Sequence, residues 1–183
     1  MKIYSFLFLA LWGVALNPCF ANNLSQEKLA IESAHETVTT IRSHFRKSLE
    51  AALRDKAPEK ALGECKIMAP TLGKKSEKVE VGRTSLRIRN SKNAPREWVK
   101  PLLDDFSKTP REEHKPYRIV QLGPNHYGYV EPIYVEAVCL NCHGADLKPE
   151  VKAEIKQLYP EDQAVGFKKG DFRGLIWLES HFQ

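Results

Sequence analysis

The stretch YRIVQLGPNHYGYVEPIYVEAVCLNCHG, Tyr117 to Gly144, decides the fold. Its first part alternates β-branched and aromatic residues with polar ones, breaks at Gly123-Pro124-Asn125, and resumes the alternation through Val135. Two strands joined by a turn are expected, and the second leads into Cys139, Cys142 and His143 in the order C-x-x-C-H. That order is an attachment motif for c-type haem. Here it hangs from a strand end, whereas a gas-binding cytochrome of the four-helix-bundle type would carry it on a long terminal helix.

Beyond the motif, Pro149 suits the first turn of a helix beginning near Lys148. FRGLIWLES, after the Gly170-Asp171 turn, reads as a final strand. Upstream, KVEVGRTSLRIRN alternates through Val79, Val81, Leu86 and Ile88, a half-buried strand with an irregularity at Gly82. Asn93-Ala94-Pro95 then looks like the entry to a short helix with Trp98, Leu102, Leu103 and Phe106 on one face.

Nearer the N-terminus the period changes. Ala34, Val38, Ile41, Phe45, Leu49 and Leu53 recur every three or four positions, the stripe of an amphipathic helix over about Ser25 to Arg54. A second helix is expected from Pro58, with ALGECKIMA running to Pro70. Helices followed by an antiparallel sheet with helical insertions make the fold α+β.

The first 21 residues, MKIYSFLFLALWGVALNPCFA, combine Lys2, an apolar run from Ile3 to Leu16 and small residues at a cleavage site after Ala21. They read as a signal peptide, leaving one domain over 22–183. The expected location is therefore periplasmic or otherwise exported, with no membrane span in the mature chain. Only Lys2 of the 28 basic residues falls in the leader, so 27 basic face 23 acidic side chains, a mild balance of +4. The signs are interspersed and no basic run is interleaved with aromatics, which argues against a nucleic-acid partner.

In C-x-x-C-H, two thiols three positions apart each add to one vinyl group of a porphyrin, and the following imidazole meets the iron. The competing use is a zinc site in which His143 and Cys65 complete the set begun by Cys139 and Cys142. Export favours haem over zinc. For the sixth ligand the chain has little supply: downstream only His181, upstream Met68 and Cys65, three positions apart and able to share a helix face. Gly63, just before them, would suit close approach of a flat macrocycle, and equally a helix irregularity. Arg83, Arg87 and Arg89 stand close enough on one segment for one or two to pair with propionates. His35, His44, His114 and His126 read as surface residues, and Tyr117, Tyr127, Tyr129 and Tyr134 as strand packing.

Taken together, GECKIMAP, VGRTSLRIRN-SKNAP-REW, YVEPIYVEAVCLNCHG and DQAVGFKKGDFRG make the chain resemble the family of exported c-type haem domains with a PAS-like fold. The resemblance runs from about Ser25 to the C-terminus. It implies an antiparallel PAS-like sheet with N-terminal helices covering one covalently attached haem c, and iron ligated by His143 and Cys65. The family's Arg-Asn-Pro turn is Arg89-Asn90-Ser91 here, a departure at one position.

A thiolate ligand favours ferric iron and a low potential. With both axial positions taken there is no open substrate site, so the expectation is a non-enzyme. On reduction, loss of a protonated Cys65 would open one face to a small gas. The leading expectation is a redox or gas sensor with a redox or signalling protein partner. The alternative is a low-potential monohaem electron-transfer cytochrome.

Overall fold

The computed structural model describes residues 18–55, 57–62 and 79–181. The expected signal-peptide run before Pro18, and Gly63, Cys65, Met68 and Pro70, lie outside the described residues. Helix α1 spans Pro18–Asp55, seven residues longer at its start than the stripe suggested, and Pro18 suits a first turn. Residues 58–62 are helical and form the described part of α2.

Four strands follow: β1 (Val79–Thr84), β2 (Arg118–Gly123), β3 (His126–Tyr134) and β4 (Phe172–His181). They make one antiparallel sheet in the order β1-β4-β3-β2. Hence the protein is α+β, and the four-helix-bundle alternative is ruled out. The β2–β3 hairpin turns at Pro124-Asn125, with Asn125 at φ 52, as the turn signal required.

Strand β1 is shorter than the alternation promised. Ser85 Oγ donates to Arg173 O at 2.6 Å and accepts from Arg87 N at 3.1 Å, which turns the chain out of the sheet after Thr84. Leu86, read as a strand residue, is consequently exposed. Nor is Gly82 an irregularity, for it pairs in register with Trp177.

Each sheet face has its own cover. On one, Val130, Leu175 and Trp177 pack against Val99, Leu103 and Phe106 of the segment that becomes helix α3 (Lys100–Lys108). On the other, Val81, Tyr129 and Leu178 pack against Ala34 and Val38 of α1. That second face positions the candidate site. Helix α4 (Leu140–His143) completes the short turn after β3, and α5 (Pro149–Leu158) buries Val151 and Ile155 beside Leu147. No described helix is long and apolar enough to cross a membrane.

Candidate functional site

The apolar stripe of α1 divides in two. Ala34 and Val38 bury themselves against the sheet, but Ile41, Phe45, Leu49 and Leu53 face a cavity of about 960 Å³ between the helix and that sheet face. This volume lies at the upper end of cofactor pockets, roughly 300–1,000 Å³. Val81 and Arg83 of β1, Ile133 of β3 and Ile176 of β4 form the opposite wall. Apolar side chains of α1 and of the sheet line both walls, so the cavity is shaped for an apolar occupant.

Cys139, Cys142 and His143 all line this cavity. A 3-10 turn over Ala137–Cys139 runs into α4, so the two sulfurs lie three positions apart on one helical face. They form no disulfide. Each is flanked by apolar packing, Cys139 beside Val135 and Phe167, and Cys142 beside Leu62 and Leu147.

His143 Nδ1 lies 2.6 Å from Ala164 O. A carbonyl only accepts, so Nδ1 carries the proton and Nε2 keeps its lone pair, the form a metal requires. Withdrawal from solvent, and then the charges of Arg89 and Arg173, hold the imidazolium well below the ordinary histidine range. The ring is therefore neutral at physiological pH. The 162–167 loop is tied to the motif by Phe167 N donating to His143 O and Gly166 N to Gly144 O, both at 2.9 Å.

The charge on the walls is predominantly positive. Six arginines and Lys169 line the cavity against a single carboxylate, Glu136, among the described residues. Several are engaged: Arg42 with Glu131 at 2.8 Å, Arg46 with Glu136 at 3.2 Å, and Arg89 with Asp162 at 3.1 Å. Arg173 donates to Arg87 O at 3.1 Å. Burial and the neighbouring Arg83 and Arg89 push its guanidinium down to about 10. An apolar slot with buried cations beside it fits a flat macrocycle carrying carboxylates, with the thiols and Nε2 at one wall.

Arg83 and Arg89 stand on the cavity wall, while Arg87 turns onto the Phe167 ring at 4.1 Å and bonds Gln163 O. Arg173, unremarked in the sequence, also lines the cavity, and its proximity to Arg83 becomes visible only once β1 and β4 pair. His181, the downstream ligand candidate, stacks on His126 at 3.9 Å and does not line the cavity. His126 and His114 are partly buried rather than superficial, His114 bonding the Tyr134 hydroxyl. No group of three or more His, Cys, Asp or Glu among the described residues converges to hold an ion, and Cys65 of the zinc set lies outside those residues. Leu62, the last described residue of α2, lies on the cavity wall three positions before Cys65.

No curated protein matches the chain. Among solved structures it is similar to the crystal structure of the cyanobacterial heme-protein Tll0287, at 24% identity and a TM-score of 0.54, over 82% of this chain and 96% of that one. The likeness is one of fold. A family model, described as Tll0287-like, matches residues 22–179. The chain belongs to the Tll0287-like family.

Proposed function

We propose that this protein binds one haem c covalently through Cys139 and Cys142, with His143 and Cys65 as axial ligands, and serves as an exported redox or gas sensor. The observation that carries the reading is the C-x-x-C-H turn on the wall of an apolar, arginine-lined cavity that the α1 stripe covers but does not fill. Similarity to a heme-protein supports the cofactor. A PAS-like arrangement, haem between sheet and N-terminal helices, is supported by the position of the cavity.

The haem supplies a one-electron couple at iron. Each residue then has a part in holding it. Cys139 and Cys142 retain the group without reliance on affinity. His143 presents Nε2, oriented by Ala164 O. Arg83 and Arg173 offer charge to propionates. Leu62 at the wall supports Cys65, three residues on, as the sixth ligand. Thiolate donation favours the ferric state, and protonation of Cys65 on reduction would release it and move the segment attached to α1. Such a device has no open substrate position in its resting state, so we read it as a non-enzyme.

The second reading, a low-potential electron carrier, is favoured by exposed Arg46, Arg111 and Lys169 along the cavity, which suit an acidic redox partner. Electron paramagnetic resonance of the ferric protein, matured in a periplasm, separates these outcomes. A low-spin signal of thiolate type, lost in Cys65→Ser, supports the His143/Cys65 pair, and ligand exchange on reduction then supports the sensor over the carrier. A chain that retains no haem on denaturing gels sinks the proposal entirely.

A further inference from the structure

We infer that Arg89 is a positioning residue that sets the donor strength of His143, acting through the carbonyl of Ala164. The inference rests on the reading of His143 as an iron ligand.

A single guanidinium gathers the surroundings of that histidine. Arg89 Nε donates to Asp162 Oδ1 at 3.1 Å, and Nη2 donates to Asp162 Oδ2 at 3.1 Å, Cys142 O at 2.6 Å and Ala164 O at 3.2 Å. Asp162 Oδ1 also accepts from Ala164 N at 2.9 Å. The pair is buried, Arg89 at 11% and Asp162 at 6% side-chain exposure. Cys142 O belongs to the peptide whose nitrogen is that of His143, and Ala164 O is the acceptor of the imidazole proton. So Arg89 grips the backbone entering the histidine and the oxygen that orients its ring.

Sharing that oxygen has an electronic consequence. A ligating imidazole becomes a stronger donor as its other N–H bonds a better acceptor. Arg89 draws on the same carbonyl that His143 Nδ1 uses, which weakens it as an acceptor and holds the imidazole nearer its neutral strength. Loss of the guanidinium leaves Ala164 O to His143 alone, strengthens the ligand and favours ferric iron. The expected shift is to lower potential. Loss of positive charge acts in the same direction, and Arg89→Lys separates the two: it keeps the charge, but one ammonium lacks the planar fork that reaches both carbonyls and both Asp162 oxygens.

The test uses haem-loaded full-length protein, the wild type beside Arg89→Lys and Arg89→Gln. Covalent haem content, midpoint potential by spectroelectrochemistry and the ferric resonance spectrum are measured in each. The inference expects retained covalent haem, a lower midpoint in both variants and altered low-spin anisotropy in both. A lysine variant with unchanged midpoint and spectrum overturns it, whether or not the glutamine variant shifts, since charge alone then accounts for any change. Two variants that lose the cooperative melt reduce Arg89 to a brace and also overturn it. Absence of covalent haem from the wild type overturns the proposed function itself, a result distinct from haem-loaded variants that fail to shift.

Discussion

Trp177 covers the bare α-carbon of Gly82, its partner across β1 and β4, so closely that a Cβ there would come within 2.3 Å of the indole. Arg96 lies over the same ring at 4.0 Å and bonds Glu179 at 2.6 Å, so the indole has little freedom to retreat. Gly82→Ala should therefore cost about 1–3 kcal/mol, the range of overpacked cores. A melting temperature lower by about 2–4 °C per kcal/mol checks this, and an unchanged melt would show that the ring shifts freely.

The divided stripe of α1 makes a differential prediction. Val38 is fully buried against Val81, Tyr129 and Leu178, whereas Leu49 faces the cavity. Val38→Ala should destabilise haem-loaded protein and the Cys139→Ala/Cys142→Ala double variant alike, by about 1–3 kcal/mol. Leu49→Ala should cost the loaded protein more than the double variant, because only an occupant gives Leu49 its contacts. Equal costs in the two backgrounds would mean that the cavity stays empty.

Helix and strand types could be read from periodicity, but the division of the stripe could not. Ala34, Val38, Ile41, Phe45, Leu49 and Leu53 form one continuous pattern, and only the pairing of β1 with β4 reveals where the sheet stops filling it. Similarly, C-x-x-C-H announced the thiols and His143 because its meaning is local. Arg89, read in the sequence only as a propionate candidate, is not legible as a support of His143, because it lies 73 and 75 residues from Asp162 and Ala164 and reaches them through tertiary contacts alone. Strand β1 was overextended for a smaller reason: alternation in TSLRIRN mimics a strand, while the Ser85 hydroxyl ends it.

Arg173 makes the cavity's charge testable. Its folded-state value of about 10 lies below the ordinary guanidinium range, so at neutral pH, below both, it is protonated folded and unfolded, and its full electrostatic penalty opposes folding of the haem-free chain. That penalty is relieved only as pH rises through about 10. Arg173→Met in the Cys139→Ala/Cys142→Ala background should raise stability at pH 7, on the order of 1–3 kcal/mol. In the loaded protein the sign should reverse if haem carboxylates pair with Arg173, as proposed. Chemical denaturation of all four proteins checks the pair, and the same sign in both backgrounds would remove Arg173 as a propionate partner.

The far end of the sheet supplies an acid limb independent of the cavity. Burial tends to raise the Glu179 carboxyl, but hydrogen bonds from Trp98 and Arg96 outweigh it and hold the group below the usual carboxylate range. A depressed folded value means that the stabilisation is present above the unfolded value and is lost as pH falls through the lower, folded one. Glu179→Gln should accordingly lower stability at pH 7 and flatten its decline in acid, leaving the two proteins closer together at the acid end. Because Trp98 Nε1 donates directly to Glu179, its fluorescence reports this limb. A variant whose stability curve runs parallel to wild type from neutral to strongly acidic pH would show that another carboxylate controls acid unfolding.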